Sequence, residues 1–147
     1  MKNNKWYVIS TFVLGCIVIN FAGRILSDRL QLPLWLDSFG TVTAAYVLGP
    51  FCAAMVGMTV NLTYGILYSW TNMFYAVVSA MVGITTGICV KKGFLKNLYG
   101  VLSTSFLVAV LSVTLSVPFN YLYCDGSTQN IWGDGVIESM EKVGFNS

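Results

Sequence analysis

The sequence predicts an all-α integral membrane protein, a single domain built as a bundle of five transmembrane helices. Apolar residues make up 56% of the 147-residue chain and charged residues only 10%, whereas a soluble domain carries about 25% charged residues. The mean hydropathy of +0.71 indicates the same class. A helix needs about 20 apolar residues to cross a hydrocarbon core of about 30 Å, so the length allows roughly five or six spans.

The predicted spans follow the apolar runs of the chain. The first is residues 6–26, a retained span because it is longer than a signal-peptide core and no cleavage site follows it. The second, residues 37–48, is short, and Gly49 and Pro50 end it because proline lacks the N–H donor that a helix needs. The other spans are residues 51–68, 73–90 and 98–123, before an external tail, 124–147.

Within the tail, apolar residues recur at a spacing that suits one face of a short helix: Ile131, Trp132, Val136, Ile137 and Met140. The surrounding residues are polar and glycine-rich, so this segment is too short and too polar to cross a membrane. We expect a small amphipathic lid.

The distribution of basic residues predicts a cytoplasmic N-terminus in the cell membrane. Two lysines precede the first span, and Lys91, Lys92 and Lys96 lie between the fourth and fifth spans, an even number of crossings away. Lysine and arginine concentrate in the short cytoplasmic loops of membrane proteins. The loop 27–36, the turn 69–72 and the tail are then outside.

The composition gives no support for catalysis, a bound metal or a cofactor. The chain has no histidine, and its four cysteines follow no metal-binding spacing. No base is placed to activate a nucleophile, and no cluster of carboxylates is present. The net charge of +2 is small and dispersed, so we expect no nucleic-acid partner.

Three polar residues at membrane depth are candidates for a binding site, since such residues are functional by default. Asp37 has apolar runs on both sides, and it either binds a solute from the outer side or caps the helix that follows it. Asn20 and Arg24 lie one turn apart near the outer end of the first span. Arg24 either extends to the interface or faces inward toward an anionic solute.

Small and polar residues form a stripe along one face of the third span: Gly57, Asn61, Tyr64, Gly65 and Tyr68. An amide at the depth of Asn61 needs hydrogen-bond partners, so the stripe is expected to face the interior of the bundle. There Asn61 either contacts a ligand or only bonds to a neighbouring helix.

The fourth span repeats this pattern with Asn72, Tyr75, Ser79, Gly83, Thr86 and Gly87 on one face. Its small residues Ser79, Gly83 and Gly87 allow close helix packing, as Gly57 does on the third span. Tyr75, in the outer half, could line a pocket. The fifth span has a weaker stripe of Ser105, Ala109, Ser112, Ser116 and Asn120.

Aromatic residues cluster near the predicted outer end: Trp35, Tyr68, Trp70, Tyr75, Tyr121 and Tyr123. They suit either an interfacial aromatic belt or a stacking pocket for a flat ring, and both interpretations place them at the same depth.

Three segments resemble the substrate-binding S components of energy-coupling factor (ECF) vitamin transporters. They are LWLDSFGT at 34–41, LGPFCAAMVG at 48–57 followed by Asn61, and GDGVI at 133–137. In that family a short second helix ends in a Leu-Gly-Pro turn before a Gly/Ala-rich third helix. The resemblance covers most of the chain and is strongest over residues 32–90.

This resemblance implies a six-helix bundle that captures a vitamin or related micronutrient near the outer surface. The connections 27–36 and 69–72 would act as lids. The protein would dock on a membrane coupling subunit driven by two cytoplasmic ABC ATPases and would not hydrolyse ATP itself. Five spans leave the tail outside, so we expect that a sixth helix is missing from this sequence.

For such a capture subunit we expect stacking from Trp35, Trp70 and Tyr75, and hydrogen bonds from Asp37, Asn61, Tyr64 and Asn120. The sequence departs from the family in its first helix, which lacks the Ala-x-x-x-Ala docking motif. Two other hypotheses remain open at this point: a membrane sensor module, and a structural subunit without a ligand.

Overall fold

The computed structural model describes residues 3–30, 32, 36–124, 127 and 131–144, and these form helices joined by short turns, with no strand among them. The α-helices are α1 (Asn3–Leu30), α2 (Phe39–Val47), α3 (Pro50–Leu67), α4 (Asn72–Lys91), α5 (Leu98–Tyr123) and α6 (Ile131–Lys142). Single turns of 3-10 helix lie at Leu36–Ser38 and Phe94–Lys96. The all-α prediction is confirmed.

Four of these helices, α1, α3, α4 and α5, are long and apolar enough to cross a membrane. The chain is therefore a multi-pass membrane protein by the length and composition of its helices. The predicted second span, residues 37–48, is not among these four, because its helix α2 has only 9 residues. At about 1.5 Å per residue it covers less than half of a hydrocarbon core of about 30 Å.

Helix α1 is longer than the predicted first span, since it continues to Leu30. The first part of the predicted 27–36 lid is therefore helical. Hydropathy marks only the apolar part of a helix, whereas Asp28 and Arg29 continue the helical turn as exposed residues beyond it. The end of α1, the end of α3 and the start of α4 lie at the same end of the bundle, which we call the Leu30 end.

The chain turns back into the bundle after α1, and this explains why α2 is short. Gly23 and Gly40 make the return possible because their missing side chains leave room for backbone. A Cβ at Gly23 would lie 2.9 Å from the carbonyl carbon of Leu36, and one at Gly40 would lie 2.8 Å from that of Cys16. Helix α2 therefore begins beside the middle of α1 and covers only the part of the bundle between that level and the end opposite the Leu30 end.

Asn20 caps α2 from the neighbouring helix. Its side chain is fully buried, its Oδ1 accepts a hydrogen bond from the Gly40 N–H at 2.6 Å, and its Nδ2 donates to Thr41 Oγ1 at 2.9 Å. The residue that precedes α2, Ser38, makes no side-chain cap bond. Since backbone groups inside a membrane need partners within the protein, Asn20 supplies what a local cap would otherwise supply.

The α3–α4 pair forms the most closely packed part of the bundle. A Cβ at Gly83 would lie 2.7 Å from the backbone of Ala53, and a Cβ at Gly57 would lie 3.0 Å from Ser79. Gly87 likewise lies against Pro50, the first residue of α3. Gly49, with φ of 90°, makes the corner between α2 and α3, a conformation that favours glycine.

Helix α5 packs on α4 and on the Phe94–Lys96 turn. Thr104 is its one buried residue. Large apolar side chains such as Phe106 (73% exposed) cover its outer surface. Contact with lipid suits this apolar surface, whereas its exposure to water would be unfavourable.

We expect Gly83→Val to lower stability by about 1–3 kcal/mol, because the new side chain meets the backbone of α3 and overpacks the helix pair. The matched control is Gly15→Val on α1, where a Cβ meets nothing within 4 Å. Thermal unfolding of both variants in the same detergent measures the difference. Equal melting temperatures would contradict the close approach of α3 and α4.

We expect Asn20→Leu to lower stability by about 1–3 kcal/mol, because it leaves the buried Gly40 N–H without its acceptor. Thr43→Val serves as the control, since the exposed Thr43 hydroxyl bonds only locally, to the Phe39 carbonyl. Hydrogen exchange at the Gly40 amide provides the specific measurement. It should accelerate in Asn20→Leu and stay unchanged in the control.

Candidate ligand-binding site

A cavity of about 520 Å³ lies at the Leu30 end of the bundle. Arg24 is within two turns of the end of α1, Tyr75 is in the first turn of α4, and Asn120 is in the last turn of α5. The lining residues come from five helices and the Leu36–Ser38 turn: Arg24, Asp37, Ser38, Asn61, Tyr75, Val78, Ser79, Val82, Ala109, Ser112, Val113, Ser116, Asn120, Trp132 and Gly133.

Arg24 connects three separate elements at the wall of this cavity. Its Nη1 lies 3.3 Å from Asp37 Oδ2 and 3.4 Å from Asn61 Oδ1, and its Nη2 donates to Asn72 Oδ1 at 2.8 Å. The side chains of Arg24 and Asp37 are 11% and 10% exposed. Arg24 therefore faces inward, and the interpretation that it extends to the interface is wrong.

Tyr64 supports the guanidinium group from the side. The Arg24 Cζ lies 4.7 Å from the centre of the Tyr64 ring, a cation–π contact. Tyr64 in turn stacks on Phe21, with ring centres 5.4 Å apart. Tyr64 thus positions Arg24, and it is not among the residues that line the cavity.

Asn61 links α3 to both the ion pair and α4. Its Oδ1 faces Arg24, while its Nδ2 donates to Ser79 Oγ at 2.7 Å and to the Gly57 carbonyl at 3.3 Å. Asn61 is 3% exposed and lines the cavity. The stripe on α3 faces the interior up to Gly65, whereas Tyr68, at 75% exposed, does not.

The sequence also allowed Asp37 to cap the helix that follows it, but its side chain does not cap α2. It lies in the Leu36–Ser38 turn and pairs with Arg24. Asn20 takes the capping role, so the carboxylate of Asp37 is left to the charged pair. A sequence motif cannot reveal this exchange, because the cap comes from a residue 20 positions away along the chain.

The cavity wall continues from α4 to α5. The Tyr75 hydroxyl donates a hydrogen bond to Asn120 Oδ1 across the two helices. Four of the five residues in the predicted α5 stripe line the cavity, namely Ala109, Ser112, Ser116 and Asn120. Ser105, one turn earlier, is exposed and outside it.

The predicted aromatic residues do not form a single stacking group around the cavity. Trp70 belongs to a cluster in which its ring centre lies 5.6 Å from that of Phe74 and 5.7 Å from that of Tyr123. This cluster joins α4 to the end of α5, and Trp70 does not line the cavity. Trp35 lies outside the described residues.

The residues predicted for helix packing and those predicted for binding separate along α4. Gly83 and Gly87 lie against α3, while Tyr75 and Ser79 line the cavity. Ser79 does both, because it also lies against Gly57.

Sequence reasoning did not select Trp132 as a site residue, although it lines the cavity from α6. The only signal was its place in the amphipathic segment of the tail. No disulfide joins the four cysteines, and no group of His, Cys, Asp and Glu side chains within the described ranges could hold a metal ion.

No protein-family model, curated protein or solved structure matches this chain. The resemblance to the S components therefore stays a prediction that rests on the sequence segments quoted above.

Proposed function

We propose that this chain is the substrate-capture subunit of an ECF-type ABC importer, which binds a vitamin or related small micronutrient. The observation that carries this proposal is the cavity at the Leu30 end, with the Arg24–Asp37 pair in its wall. Its volume of about 520 Å³ suits a small organic molecule, since ligand pockets usually enclose about 300–1,000 Å³.

The lining has the composition that binding sites share. Valine and alanine side chains supply much of the surface, and a few polar groups from separate elements converge on one space. If the polar stripes only held helices together, we would expect close packing here, as between α3 and α4. The cavity therefore favours a ligand over the purely structural hypothesis.

The predicted orientation suits capture from outside the cell. With the N-terminus in the cytoplasm, the Leu30 end of the bundle faces outward, where a scavenged solute arrives. Trp132 and Gly133 of α6 line the cavity, whereas Trp70 of the predicted 69–72 lid does not, so α6 is the lid in this proposal. Its closure would exclude water and strengthen the polar contacts inside.

In this proposal the chain performs no chemistry and works through partners. A transmembrane coupling subunit and two ABC ATPases would supply the energy for release into the cytoplasm. The bundle would remain embedded in the lipid bilayer, where its exposed apolar helices are stable.

We expect tagged protein, purified in mild detergent from its source organism, to carry ATPase and coupling subunits, which mass spectrometry would identify. Native mass spectrometry of the same sample should show a retained small molecule. A co-purifying kinase without ATPases would instead indicate a sensor. An empty cavity together with no partner would contradict the capture function.

We expect Asn61→Leu to reduce the fraction of protein that retains the small molecule by about tenfold, because it removes an amide from the cavity wall and loosens Arg24. The control is Thr59→Val on the same helix, whose hydroxyl bonds only to the Met55 carbonyl. Unchanged occupancy in Asn61→Leu, with a lower melting temperature, would assign Asn61 to packing alone.

A further inference from the structure

The charges that line the cavity define what kind of ligand it can accept. Among the described residues that line it, Arg24 and Asp37 alone carry a formal charge, and the two are paired. Both side chains are about nine-tenths buried. The described part of the wall is therefore charged locally but has no net charge.

The hydrogen bonds that Arg24 makes through Nη1 are long. Charge-assisted N–H···O bonds are usually about 2.7–2.9 Å long, and the bond from Arg24 Nη2 to Asn72 has this length, 2.8 Å. The two contacts of Nη1 are longer, at 3.3 Å to Asp37 and 3.4 Å to Asn61. Each of the two N–H groups of Nη1 can thus make one long bond, and Arg24, Asp37 and Asn61 all line the cavity.

From this geometry we propose that the ligand is uncharged and meets the pair with a carbonyl beside an N–H, as in a lactam or imide ring. The carbonyl accepts a hydrogen bond from Arg24 Nη1, and the N–H donates to the Asp37 carboxylate. This inference rests on the proposed capture function and specifies its substrate class.

Charge balance explains the preference. A ligand carboxylate would bind Arg24 but would leave the site with a net negative charge, and a ligand ammonium would leave it positive. Either excess charge is costly at low dielectric, because burial removes its hydration without a compensating partner. A zwitterion would require the desolvation of two further charges. An uncharged edge bonds to both side chains and adds no charge.

The remaining lining suits the body of a flat ring. Val78, Val82 and Val113 present apolar surface, and Tyr75 and Trp132 add aromatic groups. Aromatic and aliphatic side chains bind ring faces by burial of apolar area and by offset stacking. A heteroaromatic ring with a lactam or imide edge meets both parts of the cavity.

The test uses the full chain in lipid nanodiscs and three flat probes in equilibrium dialysis, at a pH where lumazine is uncharged. Lumazine carries imide edges, 1,3-dimethyllumazine lacks their N–H groups, and lumazine-6-carboxylate adds a negative charge. We expect lumazine to bind at least about tenfold more tightly than either of the others.

Two variants change the charge of the site. Asp37→Asn is close in shape and leaves Arg24 unbalanced, so the carboxylate probe should gain at least about tenfold in affinity relative to lumazine. Arg24→Gln should weaken the binding of lumazine by a similar factor. Glu141→Gln and Arg29→Gln make the same charge changes at exposed positions outside the cavity lining, and the affinities of these variants should not change.

Several results would overturn the inference. They are a wild-type preference for the carboxylate probe, equal binding of lumazine and its dimethyl form, no binding of lumazine, or no difference between Asp37→Asn and Glu141→Gln. Native mass spectrometry separates this failure from that of the capture function. A retained acid, amine or zwitterion would refute only the uncharged class, whereas no retained molecule and no importer partners would refute capture itself.

Discussion

The Arg24–Asp37 ion pair is the interaction on which the Leu30 end of the bundle depends. A charge within the bundle must be met inside the protein, and removing one member of a buried pair costs about 3–5 kcal/mol. Here the pair attaches the Leu36–Ser38 turn to α1, while Asn61 and Asn72 attach the same guanidinium to α3 and α4. One side chain thereby holds four elements around the cavity.

The pair can serve this purpose because another residue caps α2. Asn20 satisfies the Gly40 amide, so the Asp37 carboxylate is available to Arg24. The same arrangement makes the chain return to mid-depth before α2 begins. A full-length second helix would place the turn at the membrane surface, and its polar side chains would then lie away from α3 and α4.

The two sides of the cavity differ in how firmly they are built. The α3–α4 wall is close-packed through glycines, with Gly83 directly against the backbone of Ala53. On the other side, α5 buries little beyond Thr104, and α6 exposes more than half of Trp132. Elements with few buried contacts open at the lowest free-energy cost, so the lightly packed side suits entry and closure.

Hydropathy and helical periodicity were enough to establish the membrane class, the positions of the long helices and the inward stripe on α3, because these depend on residues near one another in the chain. They could not establish that Arg24 turns inward to Asp37, that Asn20 caps a distant helix or that Trp70 packs outside the cavity. Each of those outcomes depends on which distant residues become neighbours, and the tertiary structure alone decides that.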